Sequence, residues 1–165
     1  MSPQRVSRTQ LMLVMLVLLV LQFYLRPRVG NARISPDFLL IALMLFAMRT
    51  GPGAGAVAGF LVGLIEDALT PARFGAGLLA HTLVGYFAAW SRAVFFADNM
   101  LVNAAFVAVG LWFRDLVILM TSGTEGPQLL TELTLYSPLQ ALTTAAFALL
   151  VLVTFRSWFS IRLDA

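Results

Sequence analysis

Residue types that carry chemistry in many proteins are absent or rare in this chain of 165 residues. It has no cysteine, which excludes disulfides, thiolate metal sites and cysteine nucleophiles. Its one histidine, His81, cannot by itself build a histidine-rich metal centre. Lysine is also absent, and all eleven basic residues are arginine. The sequence therefore predicts neither a bound metal nor any other cofactor.

Charge is scarce as well, at 12% of residues against roughly 25% in an ordinary soluble domain. Hydrophobic residues make up 60% of the chain, and the mean hydropathy is +0.89. This composition indicates an integral membrane protein, and the length leaves no room for a separate soluble domain. A sequence pI near 10.2 would suggest nucleic acid as the partner of a soluble protein. Most arginines here lie beside apolar stretches, so membrane topology and lipid headgroups explain the basic charge better.

Familiar catalytic motifs are missing too. The sequence contains no G-x-S-x-G elbow, no H-E-x-x-H, no P-loop and no D-D-x-x-D. Asp98 and Asp115 are isolated acids. No ring of like polar residues recurs through the depth of the apolar stretches, as a channel would require. We therefore predict that the protein is not an enzyme.

Six apolar stretches predict an all-α integral membrane protein, a six-transmembrane-helix bundle that forms one domain over residues 1–165. The second stretch has about 12 residues, which is short for a crossing, so we expect it to be tilted, deeply packed or partly re-entrant. A further short surface helix is predicted to begin near Pro127. The predicted spans are residues 10–25, 37–48, 53–69, 75–90, 99–120 and 133–155.

The arginines give the expected orientation. Six spans place both termini on one side of the membrane, and a cytoplasmic N-terminus puts six arginines inside and four outside. The resulting positive-inside bias is moderate and favours cytoplasmic termini. The inner set is Arg5, Arg8, Arg49, Arg92, Arg156 and Arg162, and the outer set is Arg26, Arg28, Arg33 and Arg73.

A stripe of glycines, one every fourth residue, runs along the third predicted span. In lipid such small residues let another helix approach backbone to backbone, whereas in water each costs roughly 1 kcal/mol against alanine. The spacing leaves open whether that helix belongs to this chain or to another subunit. Because four residues turn 400°, the stripe drifts about 40° per step, and Asp67 beyond it is expected to face another partner, the fifth span or a pocket. The stripe consists of Gly51, Gly55, Gly59 and Gly63.

Polar side chains are predicted to collect in one layer near the outer ends of the spans. At about 1.5 Å per residue, His81 lies about 9 Å inside the fourth span and Arg114 about 10 Å inside the fifth. Charge inside a membrane is costly, so each such group needs a partner and is a candidate for function. The layer contains Gln22, Asp37, Glu66, Asp67, His81, Arg114, Asp115 and Gln140.

Within this layer, Arg114 is expected to reach Asp67 or Glu66 on the third span. Such a contact is either a structural ion pair between two helices or part of a ligand or partner site. Arg114 is not expected to pair well with Asp115, because adjacent residues point about 100° apart on a helix. His81 is either a satisfied interior histidine or a member of the same site.

One stretch, residues 35–86, carries a recognisable pattern. It opens with SPDFLLIALMLFAMRTGP, a Pro-Asp start to a leucine-rich span followed by a basic turn and Gly-Pro. It continues as GFLVGLIEDALTPARFGAGLLAHTLVGYF, which contains Gly-Phe-x-x-Gly-Leu-x-x-Asp, a short break and a closing Gly-Tyr. The pattern resembles the MreD family of bacterial rod shape-determining membrane proteins. The matching positions are Gly59, Phe60, Gly63, Leu64, Asp67, Gly75, Leu78, Gly85 and Tyr86.

The resemblance implies a non-enzymatic scaffold of the elongation machinery in the bacterial inner membrane. It implies that the scaffold binds MreC, is linked to MreB filaments, RodA and its transpeptidase, and supports lateral peptidoglycan synthesis and cell shape. MreD proteins are similar in fold to the substrate-binding subunits of energy-coupling-factor transporters, which implies an outward pocket. The alternative is such a vitamin-binding subunit itself. Those subunits dock through Ala-x-x-x-Ala on the first helix, and the first span here has no alanine.

Overall fold

In a computed structural model, the described residues (8–29, 31, 33–91 and 99–155) form seven α-helices and three short turns of other helical types. Two 3-10 turns, Arg26–Arg28 and Pro71–Arg73, follow the first and third helices, and a π-helical turn, Glu132–Tyr136, joins the last two. The α-helices are α1 (Arg8–Tyr24), α2 (Phe38–Ala47), α3 (Pro52–Leu69), α4 (Ala76–Ser91), α5 (Met100–Thr121), α6 (Gly126–Thr131) and α7 (Ser137–Thr154).

The helix limits agree with the predicted spans to within two residues, except at the start of the sixth. There the helical stretch begins at Gly126 rather than residue 133, because the predicted surface helix α6 runs on through the π-helical turn into α7. Pro127 lies in the first turn of α6, where backbone N–H groups make no hydrogen bond within the helix, so the missing N–H of proline costs nothing there. The predictions for Arg5, Arg92, Arg156 and Arg162 lie outside the described residues.

Four helical stretches of the described chain are long and apolar enough to cross a membrane. They are Thr9–Arg28, Pro52–Leu69, Met100–Thr121 and Gly126–Thr154. The other two predicted spans are shorter, with 10 residues in α2 and 16 in α4. A crossing by all six therefore stays a prediction.

The helix α2, the shortest in the six predicted spans, lies at the centre of the bundle. Eight of its ten residues are buried, and α1, α3, α4, α5 and α7 all contact it. Because protein rather than lipid surrounds α2, the polar groups at its ends find partners within the bundle, and a helix about 15 Å long is tolerated at membrane depth. Of the three expected alternatives for this stretch, the structure shows deep packing.

The glycine stripe packs against α4 of the same chain, and this answers the question that its spacing left open. A Cβ atom on Gly59 would overlap the backbone carbonyl of His81, and one on Gly63 would lie 2.5 Å from the Cα atom of Leu78. Gly55 meets the α4 backbone in the same way. The absence of side chains at these three positions lets α3 and α4 form the most extensive helix contact of the described bundle.

One expectation about the stripe is wrong, and another holds in only one of its two alternatives. Gly51 does not join the contact, because it precedes α3 as its N-cap and a Cβ atom there would meet nothing within 4 Å. Asp67 does not turn to the fifth span, because its carboxylate reaches the first turn of α4, but it does line a cavity, as the other alternative predicted. The drift of about 40° between Gly63 and Asp67 stays within the arc of α3 that α4 covers.

Candidate functional site: a buried charge network beside a polar cavity

The predicted polar layer is present, and it lies where α1, α3 and α5 approach their C-terminal ends and α2, α4 and α7 begin. Hydrogen bonds between helices hold it together. The side chain of Gln140 on α7 donates to the carbonyl of Ser35 at 3.1 Å. Its buried polar members include Gln22, Ser35, Asp37, Asp67, His81, Arg114, Ser137, Gln140 and Thr144.

The buried start of α2 takes its hydrogen-bond partners from neighbouring helices. The first N–H groups of any helix lack partners within that helix. Here the N–H of Phe38 donates to Gln22 Oε1 on α1 at 3.0 Å, and the N–H of Asp37 donates to Thr144 Oγ1 on α7 at 3.1 Å. Asp37 is the N-cap residue, and its Oδ1 accepts from the N–H of Leu40 at 3.0 Å. These bonds fix the Asp37 carboxylate in the interior.

The second oxygen of Asp37 forms an ion pair with Nη1 of Arg114, which is almost fully buried on α5. The rest of the guanidinium faces Asp115, whose Oδ1 accepts from Nε at 3.0 Å and from Nη2 at 2.6 Å. Nη2 also lies 3.5 Å from Gln140 Oε1. Arg114 thus meets two carboxylates, and because its donors are directional these contacts hold the start of α2 and α7 against α5.

Two predictions about Arg114 are corrected here. The pair with Asp115 does form, because the long arginine side chain folds back along α5 to its neighbour. The expected pair with Asp67 is not present among the described ion pairs. The other expected partner, Glu66, is confirmed, because its Oε1 forms a long ion pair with Arg114 Nη1 at 3.8 Å, without a hydrogen bond.

Asp67 instead caps α4. Its Oδ2 accepts from the backbone N–H groups of Gly75 at 2.8 Å and Leu78 at 2.9 Å, and its Oδ1 accepts from Gly77 at 3.0 Å. A negative charge at a helix N-terminus also interacts favourably with the helix dipole. Asp67 therefore closes the turn between α3 and α4, and the same N–H groups that satisfy it make it unsuited to an ion pair with Arg114.

We expect Asp67→Ala to lower the free energy of unfolding by about 2 kcal/mol, the upper end for a helix cap, because it removes the acceptor of three N–H groups. Denaturant titration in detergent micelles measures the loss. Glu125→Ala is the matched control, since Glu125 is an exposed acid at the start of α6 whose side chain makes no cap hydrogen bond, and we expect a change within about 0.5 kcal/mol. If Arg114→Glu restored the stability lost in Asp67→Lys, the two residues would be paired directly, which would contradict the capping role described for Asp67.

His81 and Glu66 form a second buried contact, between α4 and α3. The Nδ1 atom of His81 lies 2.9 Å from the carbonyl oxygen of Gly77, so this nitrogen carries the proton that it donates. Nε2 faces Glu66 Oε2 at 3.3 Å, and neither atom has a hydrogen-bond partner among the described residues. His81 is therefore an interior histidine with only Nδ1 satisfied, not the fully satisfied one of the first reading, and it lies against a member of the candidate site.

A cavity of about 200 Å³, which we call the polar cavity, opens beside this network between the α3–α4 hairpin and the walls formed by α5 and α7. Three of the four predicted site residues line it, and His81, the fourth, lies behind Glu66. Its lining residues are Arg33, Glu66, Asp67, Thr70, Arg73, Gly77, Arg114, Asp115, Ile118, Leu119, Glu132, Tyr136, Ser137 and Gln140.

One part of the cavity wall comes from the π-helical turn Glu132–Tyr136. An extra residue per turn displaces side chains from their α-helical positions, and such turns often occur at functional sites. Here Glu132 forms an ion pair with Arg33 at 3.3 Å, and the Arg33 guanidinium lies 4.8 Å from the centre of the Tyr136 ring. The loop before α2 is thus held to the helix that follows α6.

Sequence reasoning included Asp37 in the polar layer but missed that it is a buried ion-pair partner of Arg114. The available signal was its position directly before a fully apolar helix, which is typical of an N-cap residue. The separation of 77 residues between the two partners gave no periodicity from which the pair could be inferred. The part played by Glu132 and Tyr136 in the cavity was missed as well, because the π-helical turn has no sequence signal that was recognised.

A bundle of apolar helices with a buried charge network is the architecture of a multi-pass integral membrane protein. The chain matches the family of the rod shape-determining protein MreD over residues 4–159. It therefore belongs to the MreD family, and the resemblance that residues 35–86 predicted is confirmed. No curated protein and no solved structure matched the chain. The likeness to energy-coupling-factor subunits accordingly stays a prediction, and nothing found supports the vitamin-binding alternative.

Proposed function

We propose that this protein is a non-enzymatic scaffold of the bacterial rod-shape machinery, which binds MreC through its membrane helices and supports lateral peptidoglycan synthesis. MreB filaments, RodA and its transpeptidase are then indirect partners. The observation that carries the proposal is the match to a family of rod shape-determining membrane proteins over nearly the whole chain.

The chemistry of the buried groups supports a structural rather than a catalytic role. The Asp67 carboxylate is used as a helix cap, and Asp37 and Asp115 surround Arg114. Groups that hold three helices together are poorly placed to change partners during a reaction. The surfaces left for another protein are the apolar outer faces of the helices, where α1 and α3 expose large side chains.

The proposed topology has six crossings, both termini in the cytoplasm and the location in the inner membrane. The polar cavity then opens near the outer face. The burial of α2 inside the bundle supports its crossing despite its length of 10 residues. Arg26, Arg28, Arg33 and Arg73 would lie on the outer side in this arrangement.

The proposal is tested by capture of partners and by complementation. We expect the tagged full chain, extracted in mild detergent from a rod-shaped host that supplies MreC, to recover MreC, because intramembrane helix contacts survive such detergents. We also expect the chain to restore rod shape to cells depleted of their own MreD. Mass spectrometry measures the first result, and cell width under the microscope measures the second.

A tagged multi-pass protein of another family is the control for capture. Recovery of a coupling-factor ATPase without MreC would overturn the scaffold in favour of a transporter subunit. Failure of a stably folded chain both to recover MreC and to narrow the cells would also overturn it.

A further inference from the structure

Most charged groups that line the polar cavity are already neutralised by the protein. Asp67 is satisfied by three backbone N–H groups, and Arg114 lies between two aspartates. Arg33 and Glu132 form an ion pair with each other. Once these groups and the aspartate beside Arg114 are set aside, one acid and one base remain in the lining.

The remaining acid is Glu66. It forms a long ion pair with Arg114, 3.8 Å from Nη1, but two aspartates hold that guanidinium more closely. Its carboxylate accepts no hydrogen bond from the described residues, although it lies 3.3 Å from His81 Nε2. The side chain is 23% exposed and belongs to the cavity lining. An ionised carboxylate has about four lone-pair sites, so Glu66 can accept N–H donors from a ligand.

The remaining base is Arg73, at the end of the 3-10 turn Pro71–Arg73 on the cavity rim. It is exposed, and no carboxylate of the described residues forms an ion pair with it. A guanidinium presents a planar set of N–H donors that suits the two oxygens of a phosphate. The lining thus offers a negative and a positive group to one ligand that carries both charges.

Exposed apolar side chains beside the rim indicate where such a ligand comes from. Leu69 and Phe74 flank the turn that carries Arg73 and are 62% and 65% exposed, and Leu130, two residues before the lining residue Glu132, is 64% exposed. In a membrane protein, apolar surface next to arginine is typical of the boundary between acyl chains and headgroups. A cavity of about 200 Å³ is below the usual 300–1,000 Å³ of pockets for drug-sized ligands, so it suits a headgroup rather than a whole lipid.

We propose that the polar cavity binds the headgroup of phosphatidylethanolamine, with the ammonium at Glu66 and the phosphate at Arg73. The acyl chains lie against the apolar rim. This inference rests on the cavity lining and on the exposed apolar side chains near it, and it is independent of the proposed scaffold function.

The test compares lipids that differ in one property of the headgroup. The purified full chain is incubated in detergent with equal amounts of phosphatidylethanolamine, phosphatidylcholine and phosphatidylglycerol, and native mass spectrometry measures the lipid retained. Phosphatidylcholine has the same charges, but its ammonium has no N–H to donate, and phosphatidylglycerol has no ammonium. We expect about tenfold more phosphatidylethanolamine than either competitor, because hydrogen bonds to charged groups are strong.

Two variants locate the site. Glu66→Gln and Arg73→Gln should each reduce the retained phosphatidylethanolamine by about tenfold. The matched controls are Glu125→Gln and Arg28→Gln, which change exposed residues outside the cavity lining and should retain as much lipid as the unmodified chain. Thermal unfolding of each variant checks its fold, and Arg73→Gln keeps the test decisive if Glu66→Gln does not fold, since Arg73 is exposed.

The inference would be overturned if the unmodified chain retained the three lipids equally. It would also be overturned if the folded Arg73→Gln variant retained as much phosphatidylethanolamine as the unmodified chain. If an equal concentration of free phosphoethanolamine displaced the lipid completely, the acyl chains would add nothing to binding. The proposal that the ligand is a lipid would then be wrong. Capture of MreC by a chain that shows no lipid preference would leave the scaffold function standing while this inference fails.

Discussion

Asp37→Asn is expected to lower the free energy of unfolding by about 3 kcal/mol, the lower end for breaking a buried ion pair, because Arg114 loses one of its two aspartate partners and keeps Asp115. Asparagine can still accept from the N–H of Leu40 as an N-cap, so the loss reports the ion pair rather than the cap. Denaturant titration in detergent micelles measures the change. We expect Arg114→Gln to cost a similar amount, and the double variant to cost less than the sum of the two.

The control for this cycle is Glu132→Gln, which breaks the ion pair with Arg33. That pair is more exposed, and we expect a loss of about 1 kcal/mol or less. A loss from Asp37→Asn no larger than that from Glu132→Gln would contradict the described network. Strict additivity of Asp37→Asn and Arg114→Gln would also contradict it, because directly paired groups do not behave independently.

Gly59→Ala is expected to cost about 3 kcal/mol or more, the upper end for overpacking. The added Cβ atom would overlap the carbonyl of His81 and lie 2.9 Å from the Cα atom of Thr82. These are backbone atoms that cannot rotate away, so α3 and α4 would have to separate along their contact. The same denaturant titration measures the loss.

Gly53→Ala provides the matched control, because it makes the same substitution in the same helix where a Cβ atom meets nothing within 4 Å. We expect it to be neutral or to stabilise by up to about 1 kcal/mol, since alanine favours the helix over glycine. Equal unfolding free energies for the two alanine variants would show that α3 and α4 do not approach as described.

Properties that depend on near neighbours in the chain were predicted well. The limits of α2, α3, α4 and α5 follow from apolar runs that end at polar residues, prolines and glycines, and the polar layer follows from counting residues along those runs. The glycine spacing predicted a close helix contact but could not identify the second helix. That choice depends on which helices become neighbours in the bundle, and a repeat along one helix carries no information about it.

The partners of the charged groups were also not predictable from the sequence. The sequence placed Asp67 and Arg114 at one depth, and equal depth suggested a pair. In the structure Asp67 contacts α4, and Arg114 pairs with its neighbour Asp115 and with Asp37, which precedes Arg114 by 77 residues. Asp67 binds the backbone N–H groups at the start of α4 rather than Arg114, because these donors are fixed and have no partner within their own helix. The guanidinium of Arg114 can instead reach acceptors in several directions.

The sequence by itself determined that this protein is a helical membrane protein of the MreD family, because apolar runs and local motifs are properties of contiguous residues. Only the tertiary structure decided that Asp37 and Asp115 surround Arg114, that Asp67 caps α4, and that Glu66 and Arg73 are left facing a cavity. The physical reason is that a buried charge takes the partner that geometry brings within about 3 Å, the range of a hydrogen bond, and distances across a bundle are set by how all its helices pack together.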